Sequence, residues 1–211
     1  MKINLDSPVI VFLTTVADFM ILNILFILCC APVITIGPAV SALYTITMRE
    51  ARHEGGYIFK PFFKAFKNNF KQAFLLSILY LIIGAILVFG VKFWIEKPEF
   101  STVNQVILVI TGIFAVIFIF SLCYVFALIA RFDNTVCKTV KNAVMLAVFN
   151  LRETFLLTLI HVIVIVLMIF TKGIWIFMMV GGFSVCAYIN SLLFIRVFRQ
   201  YEKIEGGNHD D

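Results

Sequence analysis

The sequence predicts an all-α, polytopic membrane helix bundle, and three observations lead to this fold class. Of the 211 residues, 62% are hydrophobic and only 14% are charged, whereas a soluble domain is about 45–50% apolar and about 25% charged. Several apolar runs approach or exceed the roughly 20 residues that a helix needs to cross the hydrocarbon of a bilayer. The net charge of +5 comes from short basic blocks between these runs, which is typical of membrane topology and not of nucleic-acid binding.

The first predicted membrane helix begins at Pro8, after a capping Asp6-Ser7, and continues to Cys30. Two prolines and a glycine, Pro32, Gly37 and Pro38, should then interrupt it. A second apolar stretch over residues 32–48 ends at Arg49 and is long enough to cross only as a short or tilted element. We therefore predict a hairpin and six membrane helices in all, or five if 32–48 does not span.

Four further runs meet or nearly meet the length criterion, at residues 73–92, 105–130, 154–171 and 174–196. Thirteen basic residues fall on one side of the resulting topology, and only Lys92, Lys97 and Lys172 fall on the other. This asymmetry predicts that the thirteen, and the C-terminus, lie in the cytoplasm. Lys2 changes sides with the number of spans and does not decide it. We expect one transmembrane helical domain over residues 1–205 and a polar tail over 206–211.

The most specific local pattern is the segment from Tyr57 to Gln72, which predicts a cytoplasmic amphipathic helix at the membrane interface. At 100° per residue its phenylalanines share one face and its lysines form an adjacent stripe. One interpretation is a lipid-facing anchor that also attracts anionic lipid headgroups. The other is a docking helix for a partner protein. The residues of this candidate interface are Phe59, Lys60, Phe62, Phe63, Lys64, Phe66, Lys67, Phe70 and Lys71.

Four polar residues lie within the apolar runs, and such residues usually face a bundle interior, a partner or a cavity. Asp18 and Asn23 are in the first run, Tyr44 is in the second, and His161 lies about two turns into the span at 154–171. We expect Asp18 to be structural, paired with Arg49, Arg52 or a helix end. The alternative is a polar path for a proton or substrate.

No motif predicts an enzyme. His53-Glu54 resembles the start of a zinc-protease motif, but Tyr57 stands where the second histidine is required. No phosphate-binding or nucleophile motif occurs, and the five cysteines have no spacing typical of a zinc site. The sequence thus predicts no catalytic, cofactor-binding or metal-binding residue, and no cofactor.

The N-terminal third resembles the YesL family of small bacterial membrane proteins. The first 75 residues carry the specific part, and beyond them only hydropathy, length and the turn at 131–134 match. Pro38 is a departure, since the family often has Ala-Ser there. The matching pieces are Ala17-Asp18, Asn23, Pro32, Thr35-Ile36-Gly37, Ala42-Leu43-Tyr44, Gly56-Tyr57-Ile58-Phe59 and Phe62-Phe63-Lys64-Ala65-Phe66-Lys67.

The resemblance implies a domain of unknown function, often encoded in Firmicutes beside carbohydrate ABC-transporter genes. It supplies no catalytic residue. We therefore expect a multi-pass protein of the bacterial plasma membrane that acts as an accessory or scaffold protein for a carbohydrate uptake system. Its expected partners are membrane lipids and that transporter or another membrane protein, with a homo-oligomer as an alternative and no nucleic acid. The alternative is a small transporter or channel whose polar path includes Asp18 and His161.

Overall fold

A computed structural model describes residues 8–96 and 102–207, and this part of the chain contains helices and no strands. A 3-10 turn at Val33–Thr35 separates α1 from α2, and a π-helical segment at Met178–Gly182 joins α7 to α8 without a break. Lys2, Lys97 and residues 208–211 of the predicted tail lie outside the described residues. The helices are α1 (Pro8–Cys30), α2 (Ile36–Ala51), α3 (Phe59–Ile95), α4 (Thr102–Arg131), α5 (Val136–Phe149), α6 (Leu151–Phe170), α7 (Lys172–Phe177) and α8 (Phe183–Gly207).

Five helices of the described chain are long and apolar enough to cross a membrane, which confirms a polytopic helix bundle. The predicted count of six is not confirmed, because α2 has 16 residues and extends about 24 Å, less than the roughly 30 Å of hydrocarbon. It is short because the interruption at 31–35 delays its start and Arg52 follows its last residue. The five spans are Phe12–Cys30, Phe59–Ile95, Thr102–Arg131, Leu151–Phe170 and Lys172–Tyr201.

The predicted break after α1 is confirmed at Pro32, whereas Gly37 and Pro38, which were also expected to interrupt the helix, lie in the first turn of α2, where proline is tolerated. The helix ends at Cys30, and the Thr35 hydroxyl donates to the carbonyl oxygens of Cys29 and Pro32, both at 2.6 Å. These bonds satisfy carbonyl groups that a helix end leaves without a partner. The turn is therefore stabilised locally, and α2 leaves it in a new direction.

Helix α2 is the central element of the core, since ten of its 16 residues are buried. It packs against α1, α3, α4 and α8. It runs antiparallel along the first half of α3, where Gly37 approaches Ser77, Asn69 Nδ2 donates to Ser41 Oγ at 2.9 Å, and Arg49 donates to the Tyr57 carbonyl. The short helix thus pairs with the lysine-bearing part of its neighbour.

The predicted amphipathic segment is helical, but it forms the first part of α3 and is not a separate helix. α3 has 37 residues, which correspond to about 55 Å. Pro61 lies in the first turn, where proline is tolerated, and no glycine or proline follows until Gly84. Nothing in the sequence therefore bends the chain at the junction near Gln72.

Burial divides the bundle into two halves. No described residue is buried in 81–96, 102–120, 158–170 or 172–177, and we call these residues the far half. The rest, the basic half, contains the whole core and the ends of α2, α4 and α8 that carry arginines. All candidate functional groups discussed below, except His161, lie in the basic half.

Candidate functional site

The predicted phenylalanine face of α3 is divided by the fold. Phe59 and Phe63 are 58% and 41% exposed, and their rings meet edge to face at 5.0 Å. Phe62 is 0% exposed and lies in the core, so it is not available to lipid or to a partner. The reason is α2, which packs on the side of α3 that Phe62 occupies. Phe66 and Phe70 are half-buried and 5.6 Å apart.

The lysines predicted to flank this face are exposed, and together with the outward aromatics they form one surface at the start of α3. Tyr57, in the loop just before the helix, is also exposed. We define the Phe/Lys surface as this set of exposed side chains. Its members are Tyr57, Phe59, Lys60, Phe63, Lys64, Lys67 and Lys71.

Polar contacts hold this part of α3 in place. The side-chain Nε2 of Gln72 donates to the Asn134 carbonyl at 2.8 Å and to Thr139 Oγ1 at 2.9 Å, which ties α3 to the start of α5. The bond from Asn69 to Ser41 ties it to α2. The surface therefore rests on a fixed support, a property that lowers the entropic cost of binding.

A row of buried polar pairs joins the helices of the basic half. Thr47 Oγ1 and Ser191 Oγ are 2.7 Å apart, and Asn190 Nδ2 donates to the Tyr44 hydroxyl at 3.5 Å. The Oδ1 atom of Asn190 is buried and has no partner among the described residues. These pairs connect α2 to α8.

Similar pairs connect α4 to α6 and α3 to α4. Tyr124 of α4 and Thr154 of α6 have their hydroxyl oxygens 2.9 Å apart, and the Tyr80 hydroxyl of α3 donates to Ser121 of α4 at 3.2 Å. Such interhelical hydrogen bonds are worth about 0.6 kcal/mol each on average in a membrane bundle. Their role here is to fix which helix faces meet.

Asn23 has a specific structural partner that the sequence did not indicate. Its Nδ2 donates to the carbonyls of Met178 and Met179, both at 2.9 Å, and its Oδ1 accepts from the Ser184 N–H at 3.2 Å. A π-helical turn leaves the regular hydrogen-bond ladder, and in hydrocarbon its freed groups need another partner. The Asn23 amide supplies that partner, so this residue latches α1 to the π-helical segment.

Asp18 and His161 lie away from these contacts. Asp18 is exposed and borders a small cavity with Glu50 and Ile58. Among the described residues Asp18 forms no ion pair with an arginine; Arg49 donates to the Tyr57 carbonyl, and Arg52 binds Glu54. His161 is half-buried, and its Nδ1 lies 2.7 Å from the Leu157 carbonyl of its own helix.

The four predicted intramembrane polar residues are therefore not brought together by any of these hydrogen bonds. Asn23 bonds to the π-helical segment and Tyr44 to Asn190, while Asp18 and His161 are separate. Among the described residues, no group of three or more His, Cys, Asp or Glu side chains could hold a metal ion. The chemistry that this arrangement supports best is binding through the Phe/Lys surface.

These features define an all-α, multi-pass membrane protein. A family model described as a protein of unknown function, DUF624, matches residues 19–91, about a third of the chain. The matched part contains about half of α1, all of α2 and most of α3. It therefore includes the helix that carries the Phe/Lys surface and, in α2, one of the two helices that hold it in place. No curated protein matches the chain, and no solved structure matches it.

Proposed function

We propose that this protein is an accessory membrane protein that binds a partner membrane protein through the Phe/Lys surface and catalyses no reaction. The observation that carries the proposal is the exposed pair Phe59–Phe63 beside a stripe of exposed lysines, at the end of a helix whose other side is buried. Aromatic side chains on a fixed support supply contact area at low entropic cost. The lysines favour a partner segment that combines an apolar groove with acidic residues.

Binding is favoured over transport by the contacts of the polar side chains. A transport path needs polar groups that face a common route through the bundle. Here the polar groups of α2, α4, α6 and α8 form hydrogen bonds between neighbouring helices. Asp18 and His161 take no part in these interhelical hydrogen bonds. These contacts support a structural role for the buried polar residues.

The basic half is proposed to face the cytoplasm of a bacterial cell, because basic residues accumulate on that side of membrane proteins. Cys137 offers a native probe, since it is exposed at the start of α5 in the basic half. In intact cells a membrane-impermeant maleimide should leave Cys137 unlabelled and label a Glu96→Cys variant at the opposite end. Labelling of Cys137 in intact cells, in a variant with the other cysteines replaced by Ala, would reverse the proposed orientation.

The resemblance to the YesL family supports a more specific partner, a carbohydrate uptake system of the ABC type. The part of the chain that carries that resemblance includes the Phe/Lys surface, so the surface is a reasonable place for such a partner to bind. This identity rests on resemblance and not on a contact. The experiment below therefore tests the surface and the partner separately.

The test is co-purification from native membranes in a mild detergent with a C-terminal tag. The double variant Phe59→Ala/Phe63→Ala should lose a stoichiometric partner that the wild-type chain retains. The control is Phe89→Ala/Phe114→Ala, which removes two exposed phenylalanines from the far half and should retain the partner. If the Phe59→Ala/Phe63→Ala variant keeps the partner, or if both variants lose it equally, the Phe/Lys surface is not the docking site.

The identity of the retained protein then tests the second part. A permease subunit of a carbohydrate transporter would support the uptake-system proposal. A different membrane protein would remove that proposal and leave the docking surface intact. Phe62→Ala is unsuitable for this test because Phe62 is buried, and its replacement would disturb the fold.

A further inference from the structure

The ends of three helices converge on a small cavity lined by arginines. Arg52 follows α2, Arg131 is the last residue of α4, and Arg199 lies near the end of α8. The cavity has a volume of about 30 Å³, and its remaining walls are Met48, Ile195 and Phe198. None of these described lining residues is acidic. The sequence did not indicate this site, because the three arginines are far apart in the chain and only the fold brings them together.

One of the three arginines is held in a fixed orientation. The Nε atom of Arg52 lies 2.9 Å from Glu54 Oε1, and its Nη2 donates to Glu54 Oε2 at 3.0 Å. The Arg52 side chain is 19% exposed, whereas that of Glu54 is largely exposed. Glu54 therefore contacts Arg52 from the solvent side and does not line the cavity. The ion pair therefore fixes the orientation of the Arg52 guanidinium, and the Glu54 carboxylate does not occupy the cavity.

The size and chemistry of the cavity select a small oxyanion. A volume of about 30 Å³ accepts one or two groups of the size of water, because a single water needs roughly 10–15 Å³ on this scale. The two non-bridging oxygens of one phosphate diester match that space, and the rest of the ligand must remain outside. Guanidinium groups bind phosphate oxygens in a planar, bidentate geometry. The apolar walls strengthen this attraction by excluding water.

A second cavity suggests where the rest of the ligand lies. It has a volume of about 270 Å³ and shares Phe198 with the arginine cavity. Its walls combine apolar side chains, including Leu128, Phe132 and Met145, with Lys138. A phosphate in the first cavity would thus be next to a space that accepts a glycerol backbone and the start of an acyl chain.

We propose that the arginine cavity binds the phosphate of an anionic glycerophospholipid headgroup. Arg131 and Arg199 fall within the last turns of two membrane spans, which places the cavity where the helices leave the hydrocarbon. Basic pockets between membrane helices on the cytoplasmic side are recognised sites for such headgroups. Soluble phosphate has the same chemistry, and the experiment distinguishes the two sources. The site is separate from the Phe/Lys surface, so the two proposals fail independently.

The experiment measures lipid binding to the purified full-length chain by native mass spectrometry, with phosphatidylglycerol and phosphatidylcholine as probes. The variant Arg131→Gln/Arg199→Gln should bind phosphatidylglycerol at least tenfold more weakly, because it removes two of the three guanidinium groups that line the cavity. The matched control is Arg152→Gln/Arg196→Gln, which removes the same charge from two exposed arginines outside the lining. It should change binding by less than about twofold. If the double variant does not fold, Arg199→Gln replaces it and Arg196→Gln becomes its control.

Each outcome decides the proposal. Preference for phosphatidylglycerol that is lost only in the Arg131/Arg199 variant supports a lipid headgroup site. Competition by millimolar inorganic phosphate in the wild-type chain, with no lipid preference, shows that the cavity takes soluble phosphate and overturns the lipid assignment. Equal weakening in both variants shows that the attraction is diffuse and overturns the site. Equal binding of the two lipids without any phosphate competition also overturns it.

Discussion

The basic half and the far half of this molecule share α3, α4 and α6, yet they differ in what surrounds their side chains. In the basic half α2 inserts among α1, α3, α4 and α8 and buries Leu, Phe and Ala side chains together with hydroxyls and amides. In the far half α3 and α4 continue side by side, and none of their described residues there is buried. Lipid solvates apolar side chains as well as other helices do, so hydrophobicity alone does not drive helices together there.

The difference shows what produces packing in a membrane protein of this composition. The basic half has small residues that allow close approach, such as Gly37, Ala42 and Ala73, and polar pairs that bond across helices. The far half has large aliphatic and aromatic residues and a groove between α3 and α4, near Gly84 and Phe118, that is almost wholly apolar. Small residues such as Gly84, Gly90 and Gly112 also occur in the far half, so specific packing follows the polar pairs more closely than the small residues.

The largest expected effect compares two phenylalanines of α3. Phe62 is fully buried and Phe89 is 72% exposed. Phe62→Ala should lower the free energy of unfolding by about 3–5 kcal/mol because it creates a cavity, while Phe89→Ala should change it by less than about 0.5 kcal/mol. Unfolding in mixed micelles by titration with a denaturing detergent, followed by circular dichroism, measures both. Equal effects would mean that the two halves do not differ in packing.

The second prediction concerns the latch at Asn23. Asn23→Leu leaves the Met178 and Met179 carbonyls and the Ser184 N–H without this partner, and we expect a loss of about 2–3 kcal/mol. Asn68→Leu, at an exposed position of α3, is the matched control and should be near neutral. The same unfolding titration applies. A neutral Asn23→Leu variant would show that the π-helical segment does not need the side chain.

The third prediction uses two glycines. A Cβ at position 37 would meet the Ser77 hydroxyl and would lie 2.9 Å from the Ala73 carbonyl oxygen, whereas a Cβ at 112 meets nothing within 4 Å. Gly37→Ala should therefore cost about 1–3 kcal/mol through overpacking of α2 against α3. Gly112→Ala should be neutral or slightly stabilising, since alanine is the better helix former. If Gly37→Ala were as well tolerated as Gly112→Ala, the close contact of α2 and α3 would be in doubt.

The smallest effect is expected from one polar pair. A double-mutant cycle with Thr47→Val and Ser191→Ala should give a coupling of about 0.6 kcal/mol, the average for interhelical hydrogen bonds in a bundle. Thr111→Val in the far half is the control. It removes a hydroxyl that donates to the Ile107 carbonyl of its own helix, so no interhelical hydrogen bond is lost. A coupling energy of zero for Thr47 and Ser191 would show that their 2.7 Å contact does not stabilise the fold.

The sequence predicted the features that depend on composition along the chain. Apolar runs located the long helices, and Pro32 located the break after α1, because hydrocarbon length and proline geometry are local constraints. The sixth span is not confirmed, since a short apolar stretch such as α2 can be buried by protein as well as by lipid. Its burial depends on α3, α4 and α8, which no local pattern encodes.

Only part of the candidate site could be predicted, because local patterns do not show which helices pack against one another. Helical periodicity placed Phe62 and Phe63 on one side of α3, but it could not say that α2 covers the first and leaves the second exposed. Asn23 was recognised as an unusual residue, while its partners lie more than 150 positions away in a segment whose π-helical form has no clear sequence signal. The arginine cavity likewise depends on three distant helix ends.

The unbroken α3 also gives the molecule a mechanical property. Its 37 residues make a stiff rod of about 55 Å, nearly twice the hydrocarbon thickness of about 30 Å. A change in bilayer thickness alters the tilt of membrane helices, and a rod passes that rotation to its other end. A tilt change of about 10° moves a point 25 Å from the pivot by roughly 4 Å, as expected for a lever of this length. The thickness of the bilayer around the far end of α3 is thereby coupled to the position of Phe59 and Phe63.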